Sequence, residues 1–386
     1  METKRIYIVV GTRPNFIKVT RFKKAAETYK NIQIKIIHTG QHYDAKMADV
    51  FFDQFELIPD YFLNIPPGSP NSQSAEIMLR LEKLVKENGS PDLLMVVGDV
   101  NSTLAAALAG YKLNIPVAHL ESGLRSFDRT MPEEINRILT DEISNYFFVT
   151  EQSGLDNLAK ESKPEQAVFF VGNTMIDTLV AFKSKIHQST ITEQLGITGE
   201  NFALMTMHRP ATVDNKEGLT RLLAIIENIT RHYKLVFPIH PRTLKNLSDF
   251  GLADVFNANK NIITTPPLDY FSFQKLIADA EFVITDSGGI QEETTFIQKP
   301  CLTLRPNTER PVTCTEGTNT LVPFDAAAIA AHTAAIRNGK YKSGKVPALW
   351  DGRSSERIIK ILSEILYKET AKGTRGWYPA KEGQTA

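Results

Sequence analysis

Short apolar runs recur along the whole chain, each followed by turn residues and then by a segment with apolar residues at helical spacing. The runs are residues 6–10, 34–38, 93–97, 117–120, 146–150 and 168–171 in the first half, and 202–207, 235–239, 262–265, 282–285, 301–304 and 320–322 in the second. Strands that alternate with helices predict a parallel sheet with helices on both faces, because parallel strands need crossover connections. The pattern therefore predicts an α/β fold.

The length of the chain predicts more than one domain. With 386 residues, it exceeds the size of roughly 250–300 residues at which a single hydrophobic core stops growing. We predict two Rossmann-like, doubly wound parallel-sheet domains, residues 1–175 and 176–355, followed by a C-terminal helix and polar tail at 356–386. Such sheets bind ligands beyond the carboxyl ends of their strands, so two in series predict domains that face a cleft.

Charge and composition exclude several partners. The chain has 44 basic and 44 acidic residues, so no global field would draw it to nucleic acid or to an anionic membrane. No stretch approaches the roughly 20 apolar residues of a membrane-spanning helix, and the run at 6–10 is too short for a signal peptide. Two cysteines, Cys301 and Cys314, indicate reduced thiols in a cytoplasmic protein.

A first candidate phosphate-binding turn is Gly11-Thr12-Arg13-Pro14, between the strand at 6–10 and a helix predicted at 16–26. Glycine permits a sharp turn, amides at a helix start favour an anion, and Arg13 adds a planar cation suited to phosphate. Lys18 lies one turn further along the helix. An ordinary strand–helix turn with a surface arginine is the alternative interpretation.

A second candidate turn is Asp286-Ser287-Gly288-Gly289, which follows the strand at 282–285 and opens a helix. Two glycines and a serine at a helix start form a cradle for a diphosphate. Glu293 lies about one turn further along the same helix face, where it is placed to accept hydrogen bonds from the ribose hydroxyls. Helix capping by Ser287 is the alternative, but capping does not explain the paired glycines.

Two common nucleotide-binding fingerprints are missing from the sequence. Neither G-x-G-x-x-G nor G-x-x-x-x-G-K-[ST] occurs in the chain. Nicotinamide redox chemistry and P-loop nucleotide hydrolysis are therefore disfavoured, and we predict no cofactor.

Acidic residues gather at predicted strand ends of the first domain. Asp99 follows the strand at 93–97, Glu121 follows the strand at 117–120, and Glu133 opens a helix. Close carboxylates have separated pKa values, which allows one site to hold both an acid and a base. A metal site that includes His119 and a merely solvated acidic rim are the alternatives, and we predict no metal.

Two histidine–arginine pairs follow successive strands of the second domain. His208 precedes Arg209, and His240 lies two residues before Arg242. A lone histidine is more often structural, but the repeated pairing favours anion binding, and His208 beside a leaving phosphate would stabilise developing charge.

The motifs taken together resemble the non-hydrolysing UDP-N-acetylglucosamine 2-epimerase family, in matching order from residue 5 to about residue 366. The motifs are Gly11-Thr12-Arg13-Pro14, Ile17-Lys18, Gly98-Asp99, His119-Leu120-Glu121-Ser122-Gly123-Leu124-Arg125, Pro132-Glu133-Glu134-Ile135-Asn136-Arg137, Gly172-Asn173-Thr174 and Thr285-Asp286-Ser287-Gly288-Gly289-Ile290-Gln291-Glu292-Glu293. The resemblance implies a GT-B-like fold, a homodimer, a role in polysaccharide biosynthesis, and a C-terminal helix that crosses back onto the first domain.

The resemblance also assigns roles to residues. It places the UDP phosphates at Ser287, Gly288 and Gly289, the ribose at Glu293, and the uracil at a loop over residues 267–273. It places the sugar at Asp99, Glu121 and Glu133, and the diphosphate near Arg13, Lys18, His208, His240 and Arg310. Elimination of UDP across C1–C2, followed by re-addition, would epimerise the sugar through a 2-acetamidoglucal. We assign the proton transfers to Glu121 and Asp99, and sugar orientation to Glu133.

Several alternatives remain open at this level. The motif Gly40-Gln41-His42-Tyr43-Asp44 resembles the subgroup that includes epimerases of UDP-2,3-diacetamido-glucuronic acid. A hydrolysing 2-epimerase and a GT-B glycosyltransferase have related folds, and a sugar-nucleotide binding protein with a degenerate site is the non-enzymatic alternative.

Overall fold

The computed structural model describes residues 3–40, 52 and 54–372. It divides the chain into two units, Met1–Val180 with Ala348–Ala386 and Ala181–Pro347. These boundaries lie a few residues from those predicted at 175 and 355. The second one differs because Trp350 is buried in the first unit, where its indole N–H donates to the Thr150 carbonyl at 3.0 Å.

Seven strands among the described residues form a parallel sheet in the first unit. They are β1 (Lys4–Val10), β2 (Ile32–His38), β3 (Tyr61–Phe62), β4 (Leu93–Val97), β5 (Val117–Leu120), β6 (Tyr146–Val149) and β7 (Val168–Phe170). The sheet order is β3-β2-β1-β4-β5-β6-β7. The order reverses between β1 and β4, which creates the switch point where such sheets bind ligands.

The helices of the first unit connect these strands. They are α1 (Arg13–Ile17), α2 (Phe22–Ala26), α3 (Pro70–Asn88), α4 (Asn101–Lys112), α5 (Pro132–Ile143), α6 (Gln152–Lys160), α7 (Thr174–Ala181) and, after the second unit, α18 (Ser354–Lys372), with a 3-10 turn at Glu165–Ala167. The prediction of one helix over 16–26 is wrong. The chain is interrupted at 18–21, where Lys18 pairs with Glu121 and the Thr20 hydroxyl bonds to that of Thr178.

The second unit has its own parallel sheet, built from six described strands. They are β8 (Phe202–Thr206), β9 (Lys234–Pro238), β10 (Ile262–Thr265), β11 (Phe282–Thr285), β12 (Cys301–Thr303) and β13 (Asn319–Leu321), in the order β10-β9-β8-β11-β12-β13. The helices are α8 (Lys183–His187), α9 (Ile191–Gln194), α10 (Pro210–Val213), α11 (Lys216–Thr230), α12 (Pro241–Asp249), α13 (Ala253–Ala258), α14 (Tyr270–Asp279), α15 (Gly288–Phe296), α16 (Pro311–Thr315) and α17 (Ala326–Arg337). The predicted α/β class with two doubly wound parallel sheets is confirmed.

The helix α18 packs within the first unit. The buried carboxylate of Asp177 accepts hydrogen bonds from the backbone N–H of Ser354 at 3.0 Å and of Ser355 at 2.5 Å. Near the other end, the Tyr367 hydroxyl donates to the Asn31 carbonyl. A carboxylate that accepts hydrogen bonds from helix-start amides satisfies donors that lack partners within the helix.

Two sequence features fall beyond the described part of the chain. Residues 41–44 of the motif at 40–44 lie outside it, and so does the predicted polar tail after residue 372. Among the helices that are described, none is both long and apolar enough to cross a bilayer.

Candidate active site

The turn after β4 gathers several predicted site residues of the first unit. Gly98 has a φ of +69°, and a Cβ there would come within 3.0 Å of Asn15 Nδ2, 3.4 Å of Glu121 Oε2 and 3.6 Å of Lys18 Nζ. These three side chains therefore lie close to the backbone that carries Asp99. The carboxyl ends of β4 and β5 meet here because the two strands are neighbours.

Glu121 and Lys18 form a buried ion pair. Glu121 is 5% exposed and Lys18 is 7% exposed. The φ of Glu121 is +71°, in the left-handed region that residues other than glycine seldom adopt. Strained residues of this kind concentrate at functional sites. The structure thus brings two of the predicted residues into direct contact.

Asp99 is held by the helix α5. Its Oδ2 lies 2.5 Å from the guanidinium of Arg137, and its backbone carbonyl accepts a hydrogen bond from Asn136 Nδ2 at 2.9 Å. The side chain of Asp99 remains 25% exposed, which leaves it accessible to a ligand. Asn136 and Arg137 belong to the predicted motif at 132–137, but the sequence alone assigned neither residue a role.

The two adjacent glutamates of α5 have opposite environments. Glu133 is exposed, whereas Glu134 is buried. Glu134 accepts hydrogen bonds from the backbone N–H of Ser126 at 2.8 Å and of Phe127 at 2.9 Å, and it pairs with Arg137 at 2.7 Å. Glu134 is therefore a structural anchor of the segment after β5, while the sugar-orienting role of Glu133 stays a prediction.

Arg13 begins α1 directly after the glycine turn and is half-buried. A Cβ on Gly11 would lie 1.8 Å from the Ser102 hydroxyl, so only glycine fits where the chain passes α4. The glycine thus has a packing reason that is independent of any phosphate. The phosphate-binding role of Arg13 stays a prediction.

His119 lies inside β5 and is fully buried. Its Nδ1 is 2.6 Å from Asp141 Oδ1, and its Nε2 is 2.7 Å from the Gly98 carbonyl oxygen. Within residues 3–40, 52 and 54–372, no group of three or more histidine, cysteine, aspartate or glutamate side chains is arranged to hold a metal ion. The alternative of a metal site around His119 has no support there.

In the second unit, Asp286 and His208 meet at the ends of the neighbouring strands β11 and β8. The buried Asp286 accepts hydrogen bonds from the backbone N–H of His208 and of Arg209, each at 2.9 Å, and its Oδ1 lies 2.8 Å from His208 Nδ1. The hydrogen bond to Asp286 raises the pKa of His208 despite partial burial. Burial acts to raise the pKa of Asp286, but hydrogen bonds from His208 hold it below its usual value. His208 therefore keeps its proton to a higher pH than an isolated histidine, and its side chain is 58% exposed.

The predicted diphosphate cradle is the start of α15. Ser287 is the N-cap residue, but its hydroxyl makes no capping hydrogen bond, so capping does not explain the serine. A Cβ on Gly288 would come within 2.8 Å of both the Arg310 guanidinium and Glu309 Oε1. A glycine is therefore required for Arg310 to lie against the helix start. Arg310 is buried and pairs with Glu292 at 2.9 Å.

Glu293 is buried within α15, one position after the partner of Arg310. It lies about one helical turn beyond Gly289. Its assignment to a ribose stays a prediction.

Two further arginines add positive charge near Gly288. Burial lowers the pKa of Arg305, an effect that Glu309 opposes and that the charges of Arg209 and Arg310 reinforce. Three guanidinium groups thus lie close to one another, and Arg305 pairs with Glu309 at 3.1 Å. Arg305 has no role among the sequence predictions, although its position just after β12 is the signal that could have identified it.

The second histidine–arginine pair lies after β9. His240 is the N-cap residue of α12, and its Nδ1 accepts a hydrogen bond from the Arg242 backbone at 3.2 Å. The Arg242 guanidinium forms an ion pair with Asp214 and is 53% exposed. Both side chains thus have local partners, and their binding of substrate stays a prediction.

The segment at 267–273 is only partly a loop. The helix α14 begins at Tyr270, and the Asp269 side chain accepts a hydrogen bond from the Ser272 backbone at 3.0 Å. The expectation of a loop extending to residue 273 is therefore wrong. The aspartate ends the loop early because it satisfies a first-turn amide.

A surface cavity of about 460 Å³ lies elsewhere in the second unit. It is lined by residues around 187–202 and by Lys275, Asp279 and Glu281. Phe202 starts β8, so the cavity lies at the amino end of that strand, whereas parallel α/β sheets bind ligands at the carboxyl ends. None of the candidate residues lines it.

Comparison with known proteins decides the family. The model of the family described as UDP-N-acetylglucosamine 2-epimerase matches residues 24–363 of this chain. The chain belongs to the UDP-N-acetylglucosamine 2-epimerase family. The resemblance of the sequence motifs is thereby confirmed.

Individual relatives agree with the family match. The UDP-N-acetylglucosamine 2-epimerase of Methanocaldococcus jannaschii is 42% identical over 366 residues, which are 93% of this chain and 99% of that protein. The crystal structure of that archaeon's UDP-GlcNAc 2-epimerase in complex with UDP-GlcNAc and UDP has a TM-score of 0.84 at 40% identity, covering 93% of this chain and 99% of its own. The UDP-2,3-diacetamido-2,3-dideoxy-D-glucuronate 2-epimerase of Pseudomonas aeruginosa is 34% identical over 366 residues, 94% of this chain and 100% of that protein.

Proposed function

We propose that this chain is an isomerase that interconverts UDP-N-acetylglucosamine and UDP-N-acetylmannosamine at C2. The observation that carries the proposal is the buried, strained Glu121, paired with Lys18 and adjacent to the turn that carries Asp99. Family membership supports the reaction class, and the 42% identical relative supports the substrate.

The chemistry explains why carboxylates and cations are both needed. The C2 hydrogen of an N-acetylhexosamine has no adjacent carbonyl, so direct deprotonation is too costly. In the proposed reaction a carboxylate takes the C2 proton while the bond from C1 to the diphosphate oxygen breaks, and a C1–C2 double bond forms. The products of this step are 2-acetamidoglucal and UDP. Re-addition of UDP at C1, with a proton delivered to the opposite face of C2, gives the epimer.

The first unit supplies the acid–base groups in this proposal. Glu121 and Asp99 carry the proton transfers, and Glu133 orients the sugar. The Lys18 ammonium forms an ion pair with Glu121 and holds its carboxylate in place. The Arg137 guanidinium holds the carboxylate of Asp99 in the same way.

The second unit supplies the groups that hold UDP. Ser287, Gly288 and Gly289 offer helix-start amides to the diphosphate. The buried Arg310 and the protonated His208 stabilise the charge that develops on the leaving phosphate. Glu293 accepts hydrogen bonds from the ribose hydroxyls.

The remaining candidates, Arg13, Lys18, His240 and Arg242, are proposed to contact the diphosphate. Lys18 and Arg242 each form an ion pair with a carboxylate, as Arg310 does with Glu292, so any contact with the diphosphate must be shared with that partner.

Incubation of the purified protein with UDP-N-acetylglucosamine in D₂O, followed by NMR, tests the function. Deuterium at C2 together with UDP-N-acetylmannosamine supports the proposal. Free N-acetylmannosamine with UDP would indicate a hydrolysing enzyme, and turnover only with an added acceptor would indicate a glycosyltransferase. Turnover of UDP-2,3-diacetamido-glucuronic acid alone would assign the substrate of the 34% identical relative instead.

We also propose that the chain acts in the cytoplasm as a homodimer. The helices α3, α4 and α5 pack side by side and leave Leu79, Tyr111 and Leu139 exposed. Exposed apolar residues on adjacent helices are typical of an association surface, so this face is the proposed dimer interface.

A further inference from the structure

One buried carboxylate connects the two turns that follow β4 and β5. Asp141, on α5, is fully buried. Its Oδ2 accepts a hydrogen bond from the Gly123 backbone at 3.1 Å, and its Oδ1 lies 2.6 Å from His119 Nδ1. The other nitrogen of the His119 ring lies 2.7 Å from the Gly98 carbonyl oxygen. A continuous chain of hydrogen bonds therefore runs from one turn to the other through His119 and Asp141.

The partners of the ring determine its protonation. The Gly98 carbonyl oxygen has lone pairs and no proton, so it only accepts. A neutral imidazole has a single N–H and satisfies only one of two acceptors. If Asp141 is ionised, both hydrogen bonds of His119 form only when the ring is an imidazolium, whereas a neutral ring would need a protonated Asp141 as the donor.

The charges around the pair support this state. Asp141 Oδ2 also lies 2.7 Å from the guanidinium of Arg125, which makes two hydrogen bonds to Glu161, at 2.9 and 2.7 Å. Burial acts to raise the pKa of Asp141, but the charges and hydrogen bonds of His119 and Arg125 hold it below its usual value. An imidazolium and a guanidinium then balance two carboxylates, which is the condition for burying charged groups without a large penalty.

We propose that His119, as a buried imidazolium paired with Asp141, is a positioning residue that fixes the Gly98–Asp99 turn relative to Glu121. The inference rests on the proposed function, since it concerns the two carboxylates that act at C2. Charge-assisted hydrogen bonds are stronger than neutral ones, so they hold a turn more firmly. Displacement of a reacting group by about 1 Å reduces rates by up to about 100-fold.

The first experiment measures the ring directly. In the full-length protein labelled with ¹⁵N histidine, the two ring nitrogens of His119 should both show the chemical shifts of protonated nitrogens at neutral pH. An unprotonated ring nitrogen at neutral pH would overturn the proposal. The assignment uses the spectrum of His119→Gln, which lacks the signals.

The second experiment measures the consequence for the reaction. In D₂O, protonation of the intermediate on one face of C2 returns deuterated substrate, and protonation on the other face gives deuterated product. The ratio of deuterium in product to deuterium in recovered substrate does not depend on the fraction of folded enzyme. Asp141→Asn and His119→Gln should lower kcat by about 10- to 100-fold and change the ratio at least about threefold, with UDP affinity within about twofold of the wild type.

Glu142→Gln is the matched control, because it removes the carboxylate next to Asp141 on α5, which is exposed and pairs with Lys163 outside this network. It should leave both kcat and the deuterium ratio at wild-type values. A wild-type ratio in folded Asp141→Asn and His119→Gln would show that the pair is only structural. If the wild type exchanges no C2 hydrogen, the proposed function fails, whereas the ring measurement still decides the state of the pair.

Discussion

His208 Nδ1 lies 2.8 Å from Asp286 Oδ1, and the same carboxylate accepts a hydrogen bond from the backbone N–H of His208. The two residues are 78 positions apart in the chain and meet because β8 and β11 are adjacent. A buried carboxylate thereby fixes both the orientation and the charge of a half-exposed imidazole.

Asp286→Asn should shift the pH dependence of turnover. Because Asp286 raises the pKa of His208, the protonated form persists above the usual value of about 6.5. If the imidazolium stabilises the leaving diphosphate, kcat falls as pH rises through the raised pKa. Without the carboxylate the pKa of His208 should be lower, so in the pH profile of kcat the decrease should begin at a lower pH. Asp254→Asn, which changes a carboxylate elsewhere in the unit, should leave the profile in place.

The same pair affects stability, with a sign set by the raised pKa. The stabilisation is complete below the unfolded pKa of about 6.5 and is lost as pH rises through the folded value. The free energy of unfolding of the wild type, minus that of Asp286→Asn, should therefore decrease as pH rises above about 6.5. A difference that grows with pH would contradict this assignment.

Removal of either acid should stop exchange at C2 without removing UDP binding. Glu121→Gln and Asp99→Asn each eliminate a proton-transfer group, so deuterium incorporation should fall by about 100- to 10,000-fold. Calorimetry should find UDP affinity within about threefold of the wild type, because the phosphate groups are assigned to other residues. The exposed Glu142, replaced by glutamine, is the control. Normal exchange in both variants would refute the assignment.

Gly288→Ala should weaken UDP binding. The new Cβ would lie 2.8 Å from the Arg310 guanidinium, so Arg310 must move away from the helix start. Loss of one well-placed charged contact costs about 2 kcal/mol, or roughly 30-fold in Kd. Because Arg310 also pairs with the buried Glu292, the variant should unfold at a lower temperature, and UDP affinity is measured well below it. Unaltered UDP affinity would show that Arg310 does not contact the ligand.

His38 should make stability depend on pH below neutrality. It ends β2 and packs against Phe52 and Phe62, with ring centroids at 5.6 and 6.0 Å. Burial lowers the pKa of His38 to about 4. The unfolded chain binds a proton near pH 6.5, so stability is complete above that value and falls as pH drops towards about 4.

The expected loss in the free energy of unfolding is about 2 kcal/mol at about pH 5, from the difference between the folded and unfolded pKa values of His38. Urea unfolding at about pH 7.5 and about pH 5 measures it. His38→Gln should remove this part of the dependence, whereas the exposed His187, replaced by glutamine, should not. An unchanged dependence in His38→Gln would contradict the prediction.

Charged substitutions on the exposed apolar face formed by α3, α4 and α5 should cause the homodimer to dissociate. Leu79 is 61% exposed on α3 and Leu139 is 45% exposed on α5. Leu79→Glu with Leu139→Glu would bury charges in a dimer interface but would be tolerated in a monomer. Sedimentation velocity should show a dimer for the wild type and a monomer for the double variant. The exposed Val255, replaced by glutamate, is the control in the other unit.

Much of the fold was predictable from local patterns. The apolar runs at 117–120 and 282–285 coincide with β5 and β11, because a buried parallel strand is apolar on both faces. The two-residue strand β3 was not predictable, since it is too short to show a period. The break between α1 and α2 was also missed, because it depends on the distant partners of Lys18 and Thr20.

Local patterns in the chain specified most of the strands and placed Asp99, Glu121, Ser287 and Gly288 at strand ends, because strand and helix patterns are local. Which side chains meet depends on the folded arrangement. Lys18 and Glu121 are 103 residues apart, and their contact depends on the order of strands in the sheet. The buried state of Glu134 and the exposed state of its neighbour Glu133 likewise depend on what packs against α5. Ion pairs and burial are set by distances in space, which a linear pattern does not specify.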